Sequence, residues 1–349
     1  MRTKKATLPF WDLCNSSGYR RAAKMKLKKK LLTLLASTVI TILLLELVSF
    51  IYYSAVFPKS IVTLDSELGW IFTGRRVQKR YGHILRFNSL GLRGGEIDLE
   101  DGSYKIVLIG DSVTMGQNVS EEKTFSGIIS EKLKSEKDNY EVINAGFAGY
   151  TLYQINLAFK RTFADVNNLY LVVYNFCAND MMSNESSKNM IKDTYRHNLH
   201  LSKKYRPMLF KAIRAFKENR RKKREAKSIV KDKWYYNMIE TMPPEEIWWD
   251  FINNLIEIKN MVKNRGGLFA ISLLPPRGYF YLGQGDENSI VFQMIEEFCR
   301  ENDISVISTY RAVYRNGDES QFIDQVHFSE KGHSTIANYL CDYIQRLKK

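Results

Sequence analysis

KIVLIGDSVTMG, Lys105–Gly116, sets an apolar run rich in Ile and Val against a turn of glycine, aspartate and serine, with a second glycine beyond. Such a run suits a strand buried on both faces, and the turn suits a corner between that strand and a helix. A corner of this kind has three uses: to cradle a phosphate, to fold the chain back, or to present a side chain. A Walker loop needs G-x-x-x-x-G-K-[ST] and a dinucleotide loop G-x-G-x-x-G, and neither pattern is present. Ser112 as a helix N-cap would account for the serine alone. Ser112 as a nucleophile, with its developing charge favoured by the helix N-terminus, accounts for it equally well. The choice rests on what the rest of the chain places beside it.

Outward from this stretch, YEVINAG (140–146), LYLVVYNF (169–176), GLFAISLL (267–274) and ISVIS (304–308) repeat the β-rich character of KIVLIG (105–110). Segments with helical spacing lie between them at 123–136, at 151–164, within a long polar region at 185–265, at 287–301 and at 329–347. Apolar strands alternating with helices predict an α/β fold, a three-layer α/β/α sandwich around a central parallel sheet. With 349 residues, 44% of them hydrophobic, the chain is long enough to bury such a core. Residues 58–104 are expected to form loops and short strands packed on a domain that spans 105–349. In sheets of this kind functional groups collect at the C-terminal ends of the strands.

A serine nucleophile needs a base, and the base needs an acid to orient it. Of the five histidines, His327 stands in DQVHFSEKGH, three residues after Asp324 and just before the last helical segment. There Asp324 can hold the imidazole while His327 takes the proton of Ser112. His197 and His200 fall in the polar region away from any strand end, and His333 reads as a helix residue. An oxyanion also needs donors. The second strand runs into NAGFAGYT, Asn144–Thr151, whose glycines let backbone N–H groups face a ligand. The third runs into NFCANDMM, where the Asn179 amide can donate and Asp180 can brace the loop.

GDS, then N-x-x-x-x-G, then an ND pair, then D-x-x-H in this order resembles the SGNH (GDSL) hydrolase superfamily, over roughly residues 105–345. The resemblance implies a flavodoxin-like SGNH hydrolase fold and ester hydrolysis by serine. By motif, Ser112 is the nucleophile and Asp324 and His327 complete a catalytic triad. The Ser112 backbone N–H, Gly149 and Asn179 make the oxyanion hole, and Asp111 and Asp180 support them. Gly149 is preferred to Gly146 because it stands five residues after Asn144. The third block departs from the family's G-x-N-D, with Cys177 at the glycine position. Upstream, DSELGW (Asp65–Trp70) and NSLGLRG (Asn88–Gly94) look like envelope proteins of this superfamily associated with surface polysaccharide assembly.

The formal charge of +14 is concentrated in two segments. Residues 1–30 hold ten Lys/Arg against Asp12, and residues 203–233 hold fourteen against Glu218, Glu225 and Asp232, so the remainder is net negative. That distribution argues against a nucleic-acid-binding surface. The first segment, a basic cytoplasmic N-terminus, leads into LLTLLASTVITILLLELVSFIYYSAVF, residues 31–57, whose one acid is Glu46. This run exceeds the ~20 residues that cross a bilayer, and its flanking lysines predict a cytoplasmic N-terminus. A cleaved signal peptide would have a shorter apolar region, so an uncleaved transmembrane anchor is expected. In the second segment, Leu209, Phe210, Ile213 and Phe216 fall three or four apart. They predict a basic helical insertion, at about 200–235, that packs on the core by this stripe. The same run suits contact with anionic lipid or an acidic polysaccharide, for which neutralising Arg220–Arg224 and measuring vesicle binding is the test. Cys14, Cys177, Cys299 and Cys341 show no metal-ligand spacing, and neither a metal nor a cofactor is expected.

These readings together describe a membrane-anchored serine esterase, periplasmic or otherwise outside the cytoplasmic membrane, that removes O-acyl groups, most simply O-acetyl, from a carbohydrate. Three alternatives stand beside it: an O-acyltransferase, a lipase- or lysophospholipase-like esterase, and a non-catalytic polysaccharide-assembly protein. The last has no chemical need for a complete Ser/Asp/His set.

Overall fold

The computed structural model describes residues 17–56, 62–72, 74, 76–80, 82–135, 139–203, 213–214, 216–217, 220–221, 229–280, 289–315 and 319–348. Most of the basic run 203–233, with Leu209 and Phe210 of its stripe, and Cys14 lie outside them. In chain order the elements begin with helix α1 (Ser17–Val56) and the antiparallel hairpins β1 (Val62–Asp65)–β2 (Gly69–Phe72) and β3 (Arg76–Arg80)–β4 (His83–Phe87). Then follow β5 (Tyr104–Gly110), α2 (Ser112–Met115), α3 (Phe125–Ser135), β6 (Tyr140–Gly146), α4 (Leu152–Phe163) and β7 (Leu169–Phe176). After them come α5 (Asn184–Lys203), α6 (Ile229–Glu240), α7 (Glu245–Lys263), β8 (Leu268–Leu273) and α8 (Ile290–Glu301). The chain ends in β9 (Ser305–Ile307), α9 (Thr309–Arg315) and α10 (Glu330–Leu347). The polar region 185–265 thus includes α5, α6 and α7, and the described part of the extension 58–104 includes the two hairpins.

Five strands form one parallel sheet in the order β6-β5-β7-β8-β9. Side chains of β5 alternate between two layers, as the period of two requires. Val107 and Ile109 join one core with Phe159 of α4, Leu255 and Ile258 of α7 and Phe292 of α8. Ile106 and Leu108 join the other with Ile129 of α3 and Ile336, Leu340 and Ile344 of α10. The fold is therefore the expected α/β/α sandwich. Strands β5 and β7 leave the sheet on either side of its topological switch point, where ligands bind in doubly wound sheets.

The extension is built into this body. Asp65 Oδ1 accepts from the Glu67 and Leu68 N–H groups at 2.9 and 2.8 Å, which turns β1 into β2. Arg161 of α4 pairs with Asp65 at 2.8 Å and Glu67 at 2.6 Å. At the N-terminal edge of the sheet, the fully buried Lys105 ammonium lies within 2.8 Å of the Asp98 carbonyl oxygen, Asp101, Ser103 and Glu141.

The chain divides into two units, Met1–Pro58 with Arg206–Lys217, and Lys59–Tyr205 with Glu218–Lys349. In the first, Arg21–Tyr52 is long and apolar enough to cross a membrane, as a membrane anchor or a signal sequence would be. Of the stripe expected to pack on the core, Ile213 and Phe216 are exposed. Cys177, Cys299 and Cys341 are buried and stand outside any disulfide among the described residues.

Candidate active site

The corner after β5 assigns its two polar residues different tasks. Asp111 is the N-cap of α2: its Oδ1 accepts from the Val113 N–H at 2.8 Å. Ser112 is therefore not the cap, and its hydroxyl faces the His327 Nε2 at 2.8 Å. On the other side of the ring, Nδ1 stands 2.9 Å from both carboxylate oxygens of Asp324. Asp324 is itself held by the Val326 and His327 N–H groups, at 3.1 and 2.9 Å. The D-x-x-H spacing is what lets one short loop make all of these contacts. A proton on Nδ1, facing the carboxylate, leaves the Nε2 lone pair for Ser112.

Burial is the largest influence on His327 and favours the neutral ring. The Asp324 hydrogen bond and charge, with the charge of Asp111, outweigh it and raise the pKa above its ordinary value. For Asp324, burial raises and is outweighed by the His327 hydrogen bond and charge and two backbone N–H groups, so its pKa is lowered. Both directions favour a carboxylate bound to an imidazole ready to take a proton.

Asp111 ties the Ser112 corner to the turn after β7. The fully buried Asp111 accepts from the Asn179 Nδ2 at 2.9 Å, which orients that amide and leaves its second N–H for another acceptor. Burial pushes the Asp111 carboxyl upward, opposed by Asn179 and the Val113 N–H. Asp180 is buried one residue on and accepts from the Tyr174 hydroxyl at 2.8 Å and the Cys177 N–H at 3.0 Å. It closes the turn that carries Asn179. Burial, then the charge of Asp111, push its pKa well up. Cys177 has φ −126° and ψ 149°, an extended backbone open to any residue, so the departure from glycine costs no strain. Its thiol packs in the core, where burial raises its pKa far above the ordinary value.

Gly146 and Gly149 answer to different constraints. A Cβ on Gly146 would stand 2.1 Å from the Met115 nitrogen, so glycine lets α2 pack on the end of β6. Gly149 has φ +83°, the left-handed region, in the loop between β6 and α4. Its would-be Cβ points at Trp70, 3.2 Å from that ring, and the Trp70 indole donates to the Ala148 carbonyl at 3.3 Å. The hairpin residue Trp70 thus backs the Gly149 loop. Among the described residues neither the Ser112 nor the Gly149 N–H has a backbone partner.

The sequence did not point to Arg93, Gln117 or Arg277. Arg93, buried in the loop after β4, donates to the Met115 carbonyl at 2.6 Å, the Gly116 carbonyl and the Val119 carbonyl at 2.6 Å. It thereby fixes the turn that follows α2, and burial lowers its pKa to about 10. Gln117, in that turn, brings its amide nitrogen within 3.2 Å of His327 Nε2. The Arg277 N–H donates to the Gln325 carbonyl at 2.7 Å, inside the loop of Asp324 and His327. Its guanidinium pairs with the buried Asp232 of α6 at 2.8 Å. His333 lies buried in α10 and accepts from the Phe125 N–H at 3.3 Å. Burial and the charge of Arg93 hold it neutral, with a pKa lowered to about 3. His197 and His200 lie within α5, and their side chains are outside the described residues. No group of three or more metal-ligating side chains occurs among the described residues.

A strand-end serine backed by a histidine and a carboxylate is the equipment of a hydrolase that works through an acyl-serine. The family model for the GDSL-like lipase/acylhydrolase family matches residues 108–334, well over half of the chain, and the chain belongs to that family as a serine ester hydrolase. None of the curated proteins compared matches it. Among solved structures it is similar to a lipolytic G-D-S-L family member from Veillonella parvula, at 14% identity and TM-score 0.41, over 70% of this chain and 100% of that one. It is also similar to the psychrotrophic esterase EstA from Pseudoalteromonas sp., at 12% and TM-score 0.41, over 70% and 97%. A third is the aryl esterase of M. smegmatis, at 11% and TM-score 0.40, over 70% and 100%.

Proposed function

We propose that Ser112, His327 and Asp324 form the catalytic triad of a membrane-anchored esterase that removes O-acyl groups, most simply O-acetyl, from a cell-envelope carbohydrate. The observation that carries the reading is the unbroken contact from Asp324 through His327 to the Ser112 hydroxyl, at 2.9 and 2.8 Å. Ser112 Oγ attacks the ester carbonyl and His327 Nε2 takes its proton. The Ser112 and Gly149 N–H groups and the free N–H of Asn179 then receive the charge on the carbonyl oxygen. The tetrahedral adduct expels the sugar hydroxyl, which leaves with the proton from His327. A water activated by the same imidazole releases the acid and restores Ser112.

The anchor part rests on Arg21–Tyr52, and the lysines from Lys24 to Lys30, which precede its apolar run, support a cytoplasmic N-terminus with the body outside. The carbohydrate part rests on the DSELGW and NSLGLRG elements upstream. Passage of the acyl group to a sugar hydroxyl in place of water would make the same site a transferase. Acetate release and acetyl transfer are measured together, with an acetyl ester donor and an oligosaccharide acceptor. The esterase reading predicts stoichiometric acetate whether or not acceptor is present, and none from Ser112→Ala. Acetylated oligosaccharide at the expense of acetate would replace it with the transferase reading, and turnover confined to long-chain esters with the lipase reading.

A further inference from the structure

The resting site places two donors on one lone pair. With Nδ1 facing Asp324, the His327 ring offers a single acceptor, Nε2, and both the Ser112 hydroxyl, at 2.8 Å, and the Gln117 amide nitrogen, at 3.2 Å, stand within reach of it. Gln117 is held there. It lies in the turn Gly116–Val119, closed by the Val119 N–H donating to the Gly116 carbonyl at 3.1 Å. Arg93 grips the carbonyls on both sides of it, those of Met115, Gly116 and Val119. The NSLGLRG element of the extension thereby fixes a carboxamide beside the base.

Once Ser112 is acylated its oxygen has no proton to donate. The place it held on Nε2 passes to the nucleophile of the second step, whose O–H must reach Nε2 to be deprotonated. Any oxygen hydrogen-bonded to Nε2 on that side lies against Gln117, whose carboxamide has two donors and one acceptor. We propose that Gln117 binds and aims the hydroxyl nucleophile that attacks the acyl-enzyme, and that Arg93 is the positioning residue for it. In that step the nucleophile oxygen bonds to the acyl carbon while its proton passes to Nε2. The carbon–Oγ bond then breaks, and the proton returns to Ser112. Gln117 exchanges no proton and orients the attacking oxygen only. The inference rests on the acyl-enzyme reading above.

The test uses the full-length chain in detergent micelles with p-nitrophenyl acetate. It follows the rate of fluorophosphonate labelling, the acylation burst and the steady-state rate, with and without methanol as a second nucleophile. Gln117→Ala is expected to slow the steady-state rate about 10-fold, the loss of one orienting hydrogen bond. Labelling and burst should stay within about 3-fold, because Ser112 then has Nε2 to itself. The ratio of methyl acetate to acetate should also change. Arg93→Lys, which reaches fewer of the three carbonyls, should give the same split in weaker form, with thermal unfolding reporting its fold separately. Equal losses in burst and steady state, or no loss in either, would overturn the inference and leave the esterase reading intact. A wild-type protein with neither burst nor labelling would overturn both.

Discussion

Ser112 is free to act because Asp111 is not. The carboxylate caps α2 through the Val113 N–H and orients Asn179, while the hydroxyl beside it faces His327. Asp324 carries the largest consequence that a single substitution can reveal. His327 must be neutral to accept a proton, so the rate falls as pH drops through its raised pKa. Asp324→Asn removes the two largest influences that raise that pKa and leaves burial, which lowers it, opposed by the charge of Asp111 alone. The acid limb of kcat/KM should move to lower pH, and kcat should fall by about 10³–10⁴ because the productive tautomer is no longer held. An unmoved limb in a pH series would contradict that role. At this scale the sequence was legible where chemistry is written linearly, in GDS, CAND and DQVH. It was silent on Arg93 and Gln117, because a buried guanidinium on backbone carbonyls follows no spacing rule, and a glutamine near an imidazole has no motif.

The elements fix where these residues meet. Strands β5 and β7 end beside one another, and the loop of Asp324 and His327 reaches the same edge from in front of α10. That loop is braced by an element whose part was not readable from the basic run preceding it. Asp232 of α6 is buried against Arg277, and the Arg277 N–H holds the Gln325 carbonyl. Partners 45 residues apart, on a helix and a turn, leave no periodic trace in a sequence, whereas the strands and the long amphipathic helices do. Asp232→Ala should cost about 3 kcal/mol by removing a buried carboxylate partner of a largely buried cation, and should lower kcat through the loosened loop. Asp232→Leu combined with Arg277→Leu should recover much of the stability. Chemical denaturation of the three proteins checks this, and an unaltered midpoint in the single variant would refute it.

Over the whole molecule, the hairpin extension contributes to the proposed site by bracing loops of the α/β body. Trp70 backs the Gly149 loop and Arg93 the turn after Ser112, so two loops of the proposed site depend on residues N-terminal to β5. The sequence marked that extension only as loops and short strands, because its fold comes from contacts with the body more than from its own pattern. Helix α1 falls in the first of the two units, and its apolar run is legible from composition alone. The central claim, a membrane-held acyl-serine enzyme with Ser112 as nucleophile, meets its most direct test in carbonate-washed membranes carrying the full chain and exposed to a fluorophosphonate probe. The account predicts one labelled band of full length in the membrane pellet for the wild type and none for Ser112→Ala. Label of equal strength on the variant, or a folded wild type that takes none, would contradict it.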